Sequence, residues 1–155
     1  MFMKVLVSAC LLGVRCRYDA SARYDGALVD ALSGCVIVPI CPEMQGGLPC
    51  PRLAGEIASD GRSVIDKKGR DITAAFERGA ACALGIAQAY GCTDAVLKAK
   101  SPSCGCGAIY DGSFSGHLVR GDGITARLLK EHGIHVADEK HFVEACRRIS
   151  EDSES

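Results

Sequence analysis

The stretch Lys4-Val5-Leu6-Val7-Ser8-Ala9 decides how this chain is read. It is short, apolar and free of polar alternation. That pattern belongs to a strand buried on both faces, as at the centre of a parallel sheet. Cys35-Val36-Ile37-Val38-Pro39-Ile40 and Asp94-Ala95-Val96-Leu97-Lys98-Ala99 repeat it. Pro39 has no N–H and is expected at the end of its strand. Helical patterns fall between these runs. Residues 26–32 form a modest helix that ends near Gly34. Asp71 reads as the N-cap of a helix over 72–90, which stops at Gly91. Ile72, Phe76, Ala80, Ala83 and Ala87 share one face of it. Asp122 reads as the cap of a helix over 124–132, closed by Gly133. Ile134-His135-Val136 is a last short strand, and 141–149 a terminal helix. Strands alternating with helices predict a Rossmann-like α/β fold: a mainly parallel sheet flanked by helices.

The connections read as loops over 12–19, 43–52 and 116–123, and as a tight loop over 101–107. Residues 59–70 read as a surface hairpin around Val64-Ile65, with Lys67-Lys68 a solvated turn. Ile109 to Phe114 suggests a second hairpin, closed by the Asp111-Gly112 turn. The acidic tail from about residue 150 is expected to fray. With no repeat and no dividing linker, residues 1–155 read as one domain, which suits their number.

Hydrophobic residues make up 48% of the chain, enough for a core without external staples. Eighteen basic residues against 19 acidic ones leave a net charge of -1. That balance argues against a nucleic-acid coat or a polybasic membrane anchor. Val7-Ser8-Ala9-Cys10 resembles a lipoprotein cleavage site, but only Val5, Leu6 and Val7 separate Lys4 from Ser8. An export signal needs an apolar stretch of roughly 7–15 residues. No window approaches the roughly 20 apolar residues of a membrane span.

Ten cysteines stand out. Dense disulfide frameworks suit short, loop-rich secreted chains, whereas this pattern suits metal ligation or thiol chemistry in a reducing cytoplasm. In a parallel sheet, ligands bind outside the carboxyl ends of the strands. Cys10 follows the first strand, Cys41 the second, and Cys104 lies just past the third. Three thiolates meeting there suit iron–sulfur, zinc or a catalytic sulfur. No Cys-x-x-Cys pair is present, and dispersed thiolates on strand ends favour a cluster with one iron left open. Cys16 stands as the alternative ligand to Cys41. Cys106 is too close to Cys104 in sequence to share a metal comfortably. Cys35, Cys82, Cys92 and Cys146 read as small core hydrophobes. The four histidines are scattered and receive no role.

Several motifs together carry a family resemblance. They are Ser8-Ala9-Cys10-Leu11-Leu12-Gly13 with Cys16-Arg17-Tyr18-Asp19, Cys41-Pro42-Glu43 with Gly46-Gly47-Leu48-Pro49, and Lys100-Ser101-Pro102-Ser103-Cys104-Gly105. Residues 109–116 and 121–126 complete the pattern. The chain resembles the thiouracil desulfidase family of iron–sulfur thiopyrimidine desulfurases, formerly a domain of unknown function. The resemblance implies a 4Fe–4S cluster held by Cys10, Cys41 and Cys104. It also implies non-redox removal of sulfur from a small thiolated nucleobase such as thiouracil. Larger relatives that act on thiolated transfer RNA carry an extra domain, which this chain lacks. Cys50 stands where the family has threonine or another small residue, which makes it a poor ligand candidate. Glu43 is placed to act as general base, or merely to cap a turn. Ser101 can hydrogen-bond the ring or the attacking water, or serve as a turn residue. Ser103, Tyr110 and Phe114 are candidates to contact the substrate, although the two aromatic rings suit core packing equally well. A non-hydrolytic iron–sulfur or persulfide carrier is the alternative, and a structural zinc protein a third.

Overall fold

The computed structural model describes residues 2–154. Its centre is a four-stranded parallel sheet in the order β2 (Val36–Ile40), β1 (Lys4–Ser8), β5 (Asp94–Leu97), β8 (His135–Asp138). The opening run is thus a central strand, hydrogen-bonded on both sides. Its alternate residues serve two cores. Val5 and Val7 face α1 (Gly26–Ala31) and α5 (Glu139–Glu154), packing with Leu28, Leu32 and Val143. Leu6 faces the other way, toward α3 (Thr73–Tyr90) and α4 (Ile124–Glu131), with Ala83, Ala87 and Leu129. Each fully buried Val or Leu contributes roughly 1.5–3 kcal/mol, so β1 needs no polar face. The fold class is the expected one: mixed α/β, with helices on both faces of a parallel sheet.

α3 ends as expected. Gly91 takes the left-handed conformation at φ 73°, and Cys92 N–H returns to Ala87 O at 2.8 Å. Its buried stripe, which includes Ala75, Phe76, Gly79, Ala80, Ala83 and Ala87, leaves Cys82 exposed on the opposite face. Cys82 is therefore no core residue, whereas Cys92 is buried and Cys35 and Cys146 are half-buried.

Small residues let α3 touch α2 (Pro42–Gln45), a single turn inside the segment expected as loop. A methyl group built on Gly79 would overlap the Pro42 carbonyl, and one on Gly46 the Ala75 carbonyl. Gly85, in the same helix, has nothing near it. The two α3 glycines should respond with opposite signs to alanine. Gly85→Ala should stabilise by up to about 1 kcal/mol, the helix-propensity gain. Gly79→Ala should destabilise by about 1–3 kcal/mol, because overpacking outweighs that gain. Thermal melting of the two variants checks this, and a rise for both would mean the α2–α3 contact is soft.

Several local expectations are corrected. β4 (Val64–Asp66) pairs antiparallel with β3 (Gly55–Ile57), upstream of the expected hairpin. Residues 59–63 are turn, held by Asp60 Oδ1, which accepts the Arg62 and Ser63 N–H groups. β6 (Ala108–Tyr110) pairs with β7 (Leu118–Arg120), inside the expected loop 116–123. Asp111-Gly112 is thus not a two-residue turn; it opens a longer loop over 111–117. Asp122 does not cap α4, whose N-cap is Gly123. Its carboxylate instead accepts Gly107 N–H and Lys130 Nζ. Asp71 accepts the Thr73 N–H but precedes the capping residue, Ile72. Pro39 lies within β2, opposite Val7, tolerated because β2 is an edge strand. β5 stops at Leu97, and the last strand begins one residue late and runs on to Asp138. α5 starts at Glu139 and continues to Glu154, so the tail is helical, with Ser150 Oγ donating to Cys146 O. Among the described residues, no helix is long and apolar enough to cross a membrane.

Candidate active site

A parallel sheet opens a crevice where neighbouring strands send their chains in opposite directions. Here β1 leads through α1 to β2 on one side, and β5 leads through α4 to β8 on the other. The crevice therefore falls beyond the ends of β1 and β5. A cavity of about 550 Å³ lies there, lined by Cys10, Cys16, Cys41 and Cys104. All three expected thiols are brought together, and so is Cys16. Cys10 sits in a 3-10 turn directly after β1, Cys41 at the N-cap of α2, and Cys104 in the loop after β5. Cys50 and Cys106 lie elsewhere: Cys50 Sγ is 3.4 Å from Arg15 O, and Cys106 Sγ is 3.6 Å from Val136 O.

Burial pushes the Cys10 thiol up to about 11, partly offset by Arg17 and Lys98. It pushes Cys104 up to about 12, against the pull of two neighbouring hydroxyls. Those are Ser8 Oγ at 3.4 Å and Ser103 Oγ at 3.6 Å from Cys104 Sγ. Cys16 and Cys41 lie side by side, and their mutual hydrogen bond raises Cys16 and lowers Cys41. The two thiols titrate as a pair, and Cys41 Sγ also reaches Cys16 O at 3.6 Å. Among the described residues, no three His, Cys, Asp or Glu side chains close on a single point as one bound ion requires.

Glu43 enters the cavity from the first turn of α2 with both oxygens engaged. Arg52 Nε donates to Oε1 at 3.1 Å, and Ser103 Oγ donates to Oε2 at 2.9 Å. The Arg52 side chain is only 5% exposed, and its Nη2 also donates to Cys16 O at 2.9 Å. Ser101 Oγ accepts N–H groups from Ser103 at 3.2 Å and Cys104 at 3.0 Å. Its own proton is then free to donate, with Ser103 Oγ 2.9 Å away. The 101–104 loop rests on the start of α4. Ile124 N–H reaches Pro102 O at 2.9 Å, Thr125 N–H reaches Ser103 O at 2.9 Å, and a Cβ on Gly123 would stand 2.5 Å from Ser103 C.

Tyr110 and Phe114 also line the cavity. Arg17, Arg23, Arg52, Lys67, Lys98 and Lys100 also face the cavity, against the carboxylates Glu43 and Glu56. Arg17 Nη1 is buried without a partner among the described residues. The sequence reading missed this cationic lining, because its members come from several separate segments. It also missed Arg52, whose signal was a charged residue in an otherwise Gly/Pro-rich loop. Lys67, read as part of a solvated turn, is exposed but stands at the cavity rim.

The fold and site together define a class: an α/β enzyme with a thiol-lined cavity at the switch point of its sheet and a fixed carboxylate beside the thiols. A family model described as 2-thiouracil desulfurase matches residues 5–141, and the chain belongs to that family. It is 38% identical over 146 residues to the uncharacterized protein YbbK of Bacillus subtilis (strain 168), covering 89% of this chain and 97% of that one. It is also similar to a solved structure, the [4Fe-4S]-dependent thiouracil desulfidase TudS, at 44% identity and TM-score 0.86. That match covers 96% of this chain and 98% of TudS.

Proposed function

We propose that this chain removes sulfur from a small thiolated pyrimidine such as thiouracil, using a 4Fe–4S cluster held by Cys10, Cys41 and Cys104. The observation that carries the reading is the meeting of three strand-end thiols with Glu43 on one cavity. The donors fit such a cluster. They are all sulfur, they surround a cavity rather than a point, and Cys104 Sγ already receives the Ser8 hydroxyl and has that of Ser103 within reach, groups of the kind that support a thiolate ligand. The kinship with TudS supports the same reading.

When bound, a cluster with three protein ligands supplies an open iron, a Lewis acid for the C=S group. The rest of the chemistry falls to the chain. Water adds at the thiocarbonyl carbon and hydrosulfide leaves. Thiocarbonyl and water thus become carbonyl and hydrogen sulfide, with no net redox change. Glu43 takes the water proton, its carboxylate aimed by Arg52 and Ser103. The Ser101 hydroxyl donates to the ring or orients the water, since its lone pairs are already occupied by backbone N–H groups. Tyr110 and Phe114 flank the pyrimidine. The cationic lining stabilises the departing hydrosulfide. A cavity of about 550 Å³ suits a nucleobase-sized ligand. Ten free thiols suit the reducing cytoplasm as its compartment.

The test is anaerobic reconstitution with iron and sulfide, followed by incubation with thiouracil. Uracil and sulfide should appear in equal amounts over many turnovers. A single turnover with sulfur retained on a cysteine would instead mark a persulfide carrier. A colourless protein with stoichiometric zinc would end the cluster reading.

A further inference from the structure

The loop over 111–117 forms one rim of the cavity, and its own hydrogen bonds shape it without fixing its seat on the fold. Phe114 sits at φ 56°, a conformation that L side chains rarely adopt. Internal bonds shape the loop without reaching the body: Asp111 Oδ1 accepts the Ser113 N–H at 2.9 Å, and Asp111 N–H donates to His117 O at 3.0 Å. The tie to the body comes from β3. Glu56 Oε1 accepts the Gly112 N–H at 3.0 Å and the Phe114 N–H at 3.1 Å. Gly112 itself lies flush on β3, since a Cβ there would stand 2.7 Å from Ile57 O. One carboxylate oxygen thus gathers the two amides that bracket the loop's tip, next to the strained residue whose ring lines the cavity.

We propose that Glu56 is a positioning residue for substrate: it latches the 111–117 loop so that Phe114 closes the cavity over a nucleobase-sized ligand. This rests on the functional reading above and extends it to a residue outside the chemistry. Glu56 bonds backbone amides and acts through Phe114. Its loss should therefore weaken substrate binding and leave the chemical step alone. An amide oxygen accepts the same two N–H groups, so glutamine should replace it and alanine should not.

Two measurements test the latch. In the metal-free protein, Glu56→Ala should speed amide hydrogen exchange at Gly112 and Phe114 by about tenfold or more, while Glu56→Gln stays near the parent. In the reconstituted enzyme, Glu56→Ala should raise KM for thiouracil about tenfold with kcat within about twofold, and Glu56→Gln should restore KM. Phe114→Ala should raise KM as well, and combining it with Glu56→Ala should add little, because both changes remove the same closure. Unchanged exchange in Glu56→Ala overturns the latch. Faster exchange with unchanged KM overturns its role toward substrate, and so does a fall in kcat at constant KM. If the parent releases no sulfide from thiouracil, the functional reading fails on its own, and the exchange rates still decide the latch.

Discussion

Glu43→Gln lowers thiouracil turnover by at least about a hundredfold while iron content and colour stay at parental levels. The magnitude is the lower end of what a positioned general base contributes. The substitution suits the geometry. The Gln oxygen still accepts from Arg52 Nε, as Oε1 does now at 3.1 Å. The new amide nitrogen faces Ser103 Oγ, which today donates to Oε2 at 2.9 Å. Ser103 must then accept, and its own proton turns to Cys104 Sγ, 3.6 Å away. No buried polar group is stranded, so the fold and the thiols persist. What disappears is the basic oxygen. Sulfide release under anaerobic conditions, normalised to iron, measures the effect. Full activity in this variant would remove Glu43 from the mechanism.

Cys10→Ala abolishes both iron binding and sulfide release. Cys10 is the cleanest of the three thiols to remove. It stands at the end of the central strand, and among the described residues no thiol is hydrogen-bonded to it to take its place. Cys41 does have such a neighbour: Cys16 lies beside it, close enough to share a proton. A paired comparison follows from that contact. Cys16→Ala should keep its iron, and Cys41→Ala should lose it. The reverse result would transfer the ligand role to Cys16. Iron analysis and visible absorption after anaerobic reconstitution read both outcomes, and iron retained by Cys10→Ala would refute the three-thiol set.

The parts legible in advance were those whose signal is local and long. Lys4 to Ala9 and Asp94 to Leu97 are apolar without alternation, and only a doubly covered strand accommodates that. Residues 73–90 repeat small apolar side chains at helical spacing up to a left-handed glycine. The convergence of Cys10, Cys41 and Cys104 followed from topology, since parallel strands put all their carboxyl ends on one edge. The misread parts were short or depended on distant partners. Three-residue strands such as β3 and β7 carry almost no periodicity. Asp111-Gly112 has the composition of a tight hairpin turn, yet Glu56, on a strand far earlier in the chain, draws it into a wider loop. Asp122 looked like a cap because its helix starts just beyond it, but Lys130 and Gly107 claim its carboxylate. Arg52 acquires meaning only beside Glu43 and Cys16 O, which no local pattern discloses.

The contact of Gly79 with Pro42 has a consequence for anyone who would harden this protein. The usual recipe replaces mid-helix glycine with alanine, and it applies to Gly85. At Gly79 the same change would push on the turn that carries Glu43 and directly follows Cys41. The helix is kept weak where two backbones must touch, and the carboxylate owes its seat to that missing methyl. A lineage that filled the position would gain helix propensity but lose more in the clash, and the carboxylate would shift with the turn. Heat resistance and chemistry make the same demand here of one carbon atom: its absence.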